Sequence, residues 1–301
     1  MAFRTIEINN PAEIHVRKGQ MVISQESGEA SVPLRDMYCV VMSSPNIRIS
    51  SLALAALAEA EVMVIFCNRR RLPAALLVPT ESNARQALVM RTQIDMTSRL
   101  ADALWQKVVI RKITNQAKCL SLLGKNGSED VLSYAGKVLP GDSENCEGVA
   151  AEKYFPRLCK GLKRRTDDPF NSVLNYGYAI IRSLIVREIV ATGFLPSVGL
   201  HHRNQLNSFN LADDLIEPFR PMVDIIAPSL TRGNIGLSRE QKQALIDLPR
   251  NACLVDGVKT DILMAIQLEV DSLKRAIEEA DPDLLKLPEI ILPERMSGVD
   301  D

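Results

Sequence analysis

The chain has 301 residues, of which 46% are hydrophobic and 24% are charged, as expected for a soluble globular protein with room for two domains. Its net charge is −1, so the protein as a whole does not attract nucleic acid electrostatically. Any DNA binding therefore requires local basic patches. No apolar run reaches the roughly 18 residues that span a bilayer, and the six cysteines form no Cys-x-x-Cys pair. We therefore expect a cytoplasmic protein with reduced thiols, no membrane contact and no zinc site.

The first 80 residues have the pattern of short strands. Two alternating segments, 13–17 and 21–25, flank the tight turn Lys18–Gly19, which is typical of a hairpin. One alanine- and leucine-rich helix is expected after an N-cap serine at position 50 or 51. Other strand-like segments lie at 3–9, 29–34, 37–42 and 62–67. Several short strands with frequent turns predict a small sandwich or a split sheet.

From about residue 84 onward, apolar residues recur at spacings of three and four, which indicates helices. The stretch from Ala84 to about Leu123 predicts one long helix or two in succession. Asp168 and Pro169 form a strong helix start, because a capping side chain precedes a proline at a position that needs no donor. The helix that they open is apolar on most faces, and we expect it to be buried.

These two patterns define the predicted domain organisation. We expect an α+β fold in which a small β-rich domain at 1–80 precedes a larger all-α domain at 84–293. Residues 253–260 predict a small hairpin within the second domain. The polar residues 294–301 are expected to be a disordered tail.

The segment from Gly199 to Pro221 carries the most informative chemistry. Imidazole and carboxylate groups together suit Mg²⁺ or Mn²⁺, with nitrogen strengthening the binding of Mn²⁺. An arginine beside them could bind an anionic group such as phosphate. The segment contains His201 and His202 side by side, then Asp213, Asp214, Glu217 and Arg220. This combination points to phosphodiester chemistry.

The acidic residues also have a purely structural interpretation. A continuous helix over 209–226 would be amphipathic, with the acids on a solvated face. Pro218 and Pro221 fall inside it and remove backbone donors, which instead favours a helix distorted at its acidic residues. Adjacent histidines point in different directions, so at most one of them binds a given metal. This argues against a two-histidine iron site.

A further candidate carboxylate lies upstream of this segment. Ser143 is expected to cap a helix that carries Glu144 and Glu147 in its first turns. Gly148 and the alanines that follow would allow another backbone, of protein or DNA, to come close. The alternative is that acids gather at this helix start because they interact favourably with the helix dipole.

Three segments, 144–155, 168–183 and 199–221, resemble the CRISPR adaptation integrase family, the larger of the two universal spacer-acquisition proteins. The amino-acid sequence of the last segment is most similar to that of type II systems. The resemblance extends over nearly the whole chain, because a strand-rich first half before a helical second half is also the layout of that family.

The resemblance implies a site for Mg²⁺ or Mn²⁺ built from a glutamate, a histidine and an acidic residue. The family's E-G-x-A-A-x-x-Y pattern selects Glu147, and its G-x-x-H pattern, which begins at Gly199, selects His202 over His201. Its D-x-x-E pattern falls on Asp214 and Glu217. Glu217 is the expected ligand, and Asp214 is a catalytic neighbour.

The resemblance also implies the reaction. A divalent ion would polarise a backbone phosphate at a CRISPR repeat while the 3′-hydroxyl of protospacer DNA attacks it. The protein would then mainly position groups and neutralise charge. Two alternatives stay open, namely a general metal-dependent DNA nuclease and a non-catalytic DNA-binding scaffold.

The expected partners are double-stranded DNA, a second copy of the chain in a homodimer, and a small ferredoxin-like protein of the same adaptation system. The β-rich domain is expected to provide much of the dimer interface. Each basic run has the alternative of being only a solvated face, although phosphates must be bound somewhere. Candidate DNA-binding residues are Arg69, Arg70, Arg71, Lys160, Lys163, Arg164, Arg165, Arg203 and Arg220, together with Lys107, Arg111 and Lys112 on the long helix.

Overall fold

The computed structural model of the protein describes residues 4–69, 73–77, 84–161, 166, 168–231 and 237–293. The chain divides into two compact units, Met1–Ala84 and Arg85–Asp301. Strands dominate the described part of the first unit and helices that of the second, so the predicted α+β class is confirmed. The predicted tail at 294–301 lies outside the described residues.

The first unit consists of two four-stranded sheets and a helix in the part that is described. One sheet has the order β1-β5-β7-β8 and the other the order β4-β3-β2-β6. The elements are β1 Arg4–Ile8, β2 Ala12–Arg17, β3 Gln20–Gln25, β4 Gly28–Pro33, β5 Met37–Met42, β6 Ile47–Ile49, α1 Ser51–Glu59, β7 Met63–Cys67 and β8 Pro73–Leu77.

Apolar side chains from both sheets of the first unit form one core. Ile14 and Met21 of the second sheet cluster with Val40 and Val64 of the first. The strand β5 is buried along its whole length, as its uninterrupted apolar sequence predicts. The β2–β3 hairpin is confirmed: Lys18 and Gly19 both have positive φ, at 52° and 72°, which is the backbone of a type I′ turn.

The second unit is mainly helical. Its described residues also include a three-stranded sheet of order β10-β9-β11. The elements are α2 Gln86–Ile94, α3 Ser98–Leu122, α4 Ser128–Leu132, α5 Cys146–Leu158, α6 Pro169–Thr192, α7 Asn210–Leu215, α8 Arg220–Asp224, α9 Ala227–Leu230, α10 Arg239–Asp247, β9 Ala252–Val255, β10 Val258–Asp261, α11 Ile262–Glu278 and β11 Pro288–Ile290.

Two helices organise this unit, and the sequence predicted both. The long helical stretch is two helices in succession, because Thr97 caps α3 by accepting a hydrogen bond from the Leu100 N–H. At the start of α6, the Asp168 side chain accepts from the Asn171 N–H, and most of α6 is buried. The two helices therefore form the framework on which the shorter elements pack.

The small sheet extends the hairpin that was predicted at 253–260. Asp256 and Gly257 make its turn with φ of 51° and 77°, and β11 pairs with the other edge of β9. All six cysteines are free thiols, as expected. None of the helices in the described ranges is long and apolar enough to cross a membrane.

Candidate active site in the helical unit

A lysine ammonium joins two acidic side chains at the centre of the candidate site. Lys112 lies on α3, and its Nζ forms ion pairs with Glu147 Oε1 and Glu217 Oε2. Only 7% of the Lys112 and Glu217 side chains is exposed, against 30% for Glu147. The fold thus brings two carboxylates that are distant in sequence to one positive charge.

Glu147 is held by the start of α5. The Asp142 carboxylate accepts hydrogen bonds from the N–H groups of Cys146 and Glu147, at 2.8 and 3.0 Å. The prediction that Ser143 caps this helix is therefore wrong. Asn145 has a left-handed backbone with φ of 53°, which starts the helix at Cys146 and leaves Ser143 too far upstream to cap it.

Glu217 lies in a 3₁₀ turn between two short helices, not on one continuous helix. The continuous helix over 209–226 that the structural interpretation assumed is not formed: α7 ends at Leu215, a 3₁₀ turn covers Glu217–Phe219, and α8 follows. The distortion expected from Pro218 is confirmed, because a proline inside a helix removes a donor and disturbs the preceding turn. Asp214 and Glu217 are buried, so the solvated-face interpretation is wrong.

The buried charges in this cluster stabilise one another. Burial alone would raise the pKa of Glu217, but the charges of Arg220 and Lys112 lower it to about 2. Arg220 Nε donates to Glu217 Oε1 at 2.9 Å. Burial likewise opposes the charged form of Lys112, yet Glu217 and Glu147 raise its pKa above its usual value. Both groups are therefore ionised at neutral pH.

A second carboxylate orients His202. Asp214 is fully buried, and its Oδ1 lies 2.6 Å from Nδ1 of His202. The hydrogen bond with Asp214 raises the pKa of His202 against the opposing effect of burial, and the charge of Glu217 adds to the increase. Since Asp214 engages Nδ1, the nitrogen of His202 available to another ligand is Nε2.

The backbone of the loop 199–202 wraps around the Asp214 carboxylate. Oδ2 accepts from the N–H groups of Leu200 and His201 at 2.6 and 3.1 Å, and Oδ1 accepts from that of His202 at 3.1 Å. A Cβ on Gly199 would lie 2.6 Å from Asp214 Oδ2, so this close approach requires glycine. Asp214 therefore holds both the loop 199–202 and the imidazole of His202 in one arrangement.

His201 and Asp213, which precede His202 and Asp214 in the sequence, contact other groups. His201 stacks on Trp105, with ring centroids 4.5 Å apart and planes 5° from parallel. Asp213 pairs with Arg182 Nε at 2.5 Å and accepts from Asn207 at 2.6 Å. His201 and Asp213 therefore have partners other than the Lys112 ammonium that joins Glu147 and Glu217.

The expected ligand set is brought together only in part. Among the residues that the structure describes, no three His, Cys, Asp or Glu side chains lie close enough to hold a metal ion. Glu147 and Glu217 converge on a single cation, the Lys112 ammonium. His202 is near enough for the Glu217 charge to affect its pKa, but it does not complete a three-ligand group.

A buried polar layer that the sequence did not reveal lies behind Glu217. The Arg220 guanidinium packs 4.7 Å from the ring centroid of Tyr178. Tyr178 and Tyr154 both donate their hydroxyls to the buried carboxylate of Asp224. This chain of contacts fixes Arg220 and, through it, one oxygen of Glu217.

Asn115 links the 3₁₀ turn at 217–219 to the strand β11 through hydrogen bonds. Its side chain is fully buried, and Nδ2 donates to the carbonyls of Pro218 and Pro288 at 2.8 and 2.9 Å. Its Oδ1 accepts from the Ile290 N–H. Lys112, Asn115 and other polar residues interrupt the apolar periodicity of α3, and this interruption is the sequence signal that could have found them.

The predicted DNA-binding residues fall into different environments. Arg69, Lys160 and Arg203 are exposed, whereas Arg220 is paired with Glu217. The prediction that Lys112 is a surface contact is wrong, because its ammonium is buried and pairs with Glu217 and Glu147. Lys107 pairs with Asp283 and Arg111 with Glu289. Arg70, Arg71, Lys163, Arg164 and Arg165 lie outside the described residues.

An open cleft of about 600 Å³ adjoins His202. Arg203 and Asn204 line it on one side, and Gln93 and Ser98 lie on the other. Gln93 holds the cleft wall, since its amide bonds the carbonyls of Leu195 and Val198. The cleft lining combines apolar and neutral polar side chains, and Arg203 brings a positive charge to it beside the candidate site.

Comparison with known proteins identifies the family. A family model described as "CRISPR associated protein Cas1" matches residues 7–244. The CRISPR-associated endonuclease Cas1 of Neisseria meningitidis serogroup C (strain 8013) is 32% identical over 296 residues, 97% of each chain. A casposase bound to an integration product has a TM-score of 0.78 at 18% identity, over 93% of this chain and 91% of that chain. A chain of a Cas6-RT-Cas1–Cas2 complex has a TM-score of 0.76 at 17% identity, over 97% of this chain and 36% of its own length.

The two structural likenesses, at such low identity, show a shared fold. The family model and the Neisseria relative together extend over nearly all of the sequence. They confirm the resemblance that the segments around Glu147, Asp168 and His202 carried. The chain belongs to the Cas1 family of CRISPR-associated proteins.

Proposed function

We propose that this protein is a metal-dependent DNA integrase and endonuclease that inserts protospacer DNA into a CRISPR repeat. The observation that carries the proposal is the convergence of Glu147 and Glu217 on one cation, beside a histidine oriented by Asp214. The Cas1 relative is named an endonuclease, and a protein of the same fold is a casposase bound to an integration product.

The donor chemistry of the site fits a hard divalent cation. Carboxylate oxygens are the preferred ligands of Mg²⁺ and Mn²⁺, and imidazole nitrogen also suits Mn²⁺. Glu147, Glu217 and Nε2 of His202 would hold the ion. When bound, it supplies positive charge that polarises the reacting phosphate and stabilises the displaced oxygen.

The residues of the chain have distinct parts in this reaction. Arg220 and the polar layer behind it keep Glu217 ionised and in place. Asp214 accepts a hydrogen bond from Nδ1–H of His202, which leaves the lone pair of Nε2 available to a ligand. The attacking 3′-hydroxyl comes from DNA, so the chain needs no nucleophile of its own and contributes by positioning and charge.

DNA would be held by basic side chains around this site. Arg203 lines the cleft next to His202, which favours it for contact with DNA near the reacting phosphate. Lys160 and Arg69 are exposed and available to more distant phosphates. The remaining arginines and lysines of the two basic runs, 69–71 and 160–165, are proposed for the same role from sequence.

Two protein partners are also proposed. A structural neighbour is part of a Cas6-RT-Cas1–Cas2 complex, which supports assembly with a second adaptation protein. From the family resemblance we propose that this protein is small and ferredoxin-like. We also propose that the strand-rich unit forms a homodimer.

A strand-joining assay tests the catalytic proposal. Labelled double-stranded DNA with free 3′ ends is incubated with a supercoiled plasmid that carries the repeat, the partner protein and Mg²⁺ or Mn²⁺. Glu147→Ala, His202→Ala and Glu217→Ala should each lower joining by about a hundredfold or more while DNA binding persists. His201→Ala and Asp213→Asn are matched controls, since both side chains contact other groups.

The outcomes separate the rival functions. Cutting of the plasmid without joining would support a general nuclease that uses the same residues. Binding without either reaction in the wild type would support a non-catalytic scaffold. Joining at the wild-type rate in all three alanine variants would refute the site assignment.

A further inference from the structure

The cation already present in the candidate site belongs to the chain itself. The Lys112 ammonium contacts one oxygen of Glu147 and one of Glu217, the two carboxylates proposed to bind metal. It reaches them from α3, where Lys112 follows the buried residues Val108 and Val109. No other lysine of α3 is paired with two carboxylates in the described part of the chain.

A positive charge is needed at this place when no metal is bound. Two ionised carboxylates close together repel each other, and burying Glu217 without a counter-charge is strongly unfavourable. Arg220 neutralises one oxygen of Glu217. Lys112 balances the remaining charge and is shared with Glu147.

The ammonium and the proposed metal compete for the same oxygens. Both are compact hard cations that carboxylates bind, and only one can lie between Glu147 and Glu217 at a time. A lysine ammonium has a flexible four-carbon stem and three rotatable donors. It can therefore leave the carboxylates by side-chain rotation.

We propose that Lys112 is a positioning residue that occupies the cation site in the metal-free protein and is displaced when the divalent ion binds. This inference rests on the proposed function, because it assumes that Glu147 and Glu217 hold the metal. The affinity of the site for a metal is then set partly by competition between the divalent ion and the Lys112 ammonium. The site is thereby kept paired and ordered until a metal arrives.

Substitutions at this position have opposite expected effects. Lys112→Met removes the competing charge and should tighten Mn²⁺ binding by about tenfold or more, because a unit charge beside a divalent ion acts strongly at short range. Lys112→Arg should weaken binding by about tenfold or more, since a guanidinium holds two carboxylates through fixed paired donors. Lys118→Met is the matched control, because Lys118 lies on the same helix and pairs with Glu289.

The test measures Mn²⁺ binding to the metal-free full-length protein without DNA, from the paramagnetic resonance signal of free Mn²⁺. Glu217→Gln identifies which binding belongs to the site. If wild-type binding depends on Glu217 but Lys112→Met binds no more tightly, the inference about Lys112 is overturned and the metal site stands. If neither wild type nor Lys112→Met shows Glu217-dependent binding, the proposed metal site fails, and the inference with it.

A measurement on the wild type covers the case in which Lys112→Met does not fold. A crystal structure of the wild-type protein with Mn²⁺ should show the Lys112 ammonium out of contact with at least one carboxylate. A metal bound to Glu147 and Glu217 while the ammonium keeps both ion pairs would overturn the proposal.

Discussion

Replacing Asp214 by asparagine tests whether this carboxylate is the positioning group of the site. Its two oxygens accept four hydrogen bonds, three from backbone N–H groups and one from Nδ1 of His202. Asparagine has one oxygen that accepts and one nitrogen that only donates. If the amide nitrogen takes the place of Oδ2, the N–H groups of Leu200 and His201 both face another donor. If it takes the place of Oδ1, the N–H of His202 faces a donor, and Nδ1 does too unless the imidazole changes tautomer.

The size of the effect follows from this count. A buried group left without its hydrogen bond costs about 1–3 kcal/mol, and at least one backbone N–H is left so in either orientation, so the fold is destabilised by at least about 1 kcal/mol. For a unit of roughly this size, each kcal/mol lowers Tm by about 2–4 °C. We therefore expect Tm to fall by at least about 2 °C. If the amide nitrogen faces Nδ1, the imidazole can change tautomer, but its proton then blocks Nε2 and strand joining falls about 10–100-fold.

Calorimetric unfolding of the metal-free protein and the joining assay measure the two effects. Asp283→Asn is the control: Asp283 is exposed and pairs with Lys107, so its loss should leave the unfolding temperature close to that of the wild type. The reasoning is refuted if Asp214→Asn unfolds at the wild-type temperature and joins DNA at the wild-type rate.

Two further predictions concern the supports of the site. Asn115→Ala should destabilise the protein by at least about 3 kcal/mol, because it removes the hydrogen bonds of the Pro218 and Pro288 carbonyls and of the Ile290 N–H. Urea unfolding checks this. Thr114→Val should change little, because the Thr114 hydroxyl bonds only its own helix. Asp168→Ala should cost about 1 kcal/mol by removing the cap of α6. Although burial opposes it, hydrogen bonding led by the Asn171 N–H lowers the pKa of Asp168 below 3.8, so this contribution is present above pH 3.8 and is lost as the pH falls through the lowered pKa. Unfolding of wild type and variant measured from pH 7 to pH 3 tests the sign, and a difference that grows on acidification would contradict it.

Local rules predicted much of the fold. The hairpin at Lys18–Gly19, the cap at Asp168 and the break near Pro218 each follow from one or two residues with strong backbone preferences. Such preferences act within a few residues of the chain, so they are readable without knowing the tertiary structure. The start of α5 was misplaced because Asn145 adopts a left-handed backbone, which competes with the capping preference of Ser143.

The long-range contacts of the site could not be predicted in this way. Lys112 falls on the apolar face of α3, which indicates burial, but its pairing with Glu147 and Glu217 depends on how α3 packs against α5 and the 3₁₀ turn. The same holds for Asp224, which is reached by tyrosines from α5 and α6. Buried polar networks are specified by the whole packed unit, not by any one segment.

Pro218 shapes the segment that carries two acidic residues with different contacts. Asp214 and Glu217 are three positions apart, so they lie on nearly the same side both of an α-helix and of a 3₁₀ turn. Their different contacts come from what packs against each position: Asp214 meets the loop 199–202, and Glu217 meets Lys112 and Arg220. One short segment thereby supplies both a carboxylate that orients His202 and a carboxylate that pairs with a cation. Pro218 has no N–H to donate to the carbonyl four residues back, which favours the 3₁₀ turn at 217–219 over a regular helical turn. The proline therefore helps to set the local backbone, and the surrounding elements decide what each acid contacts.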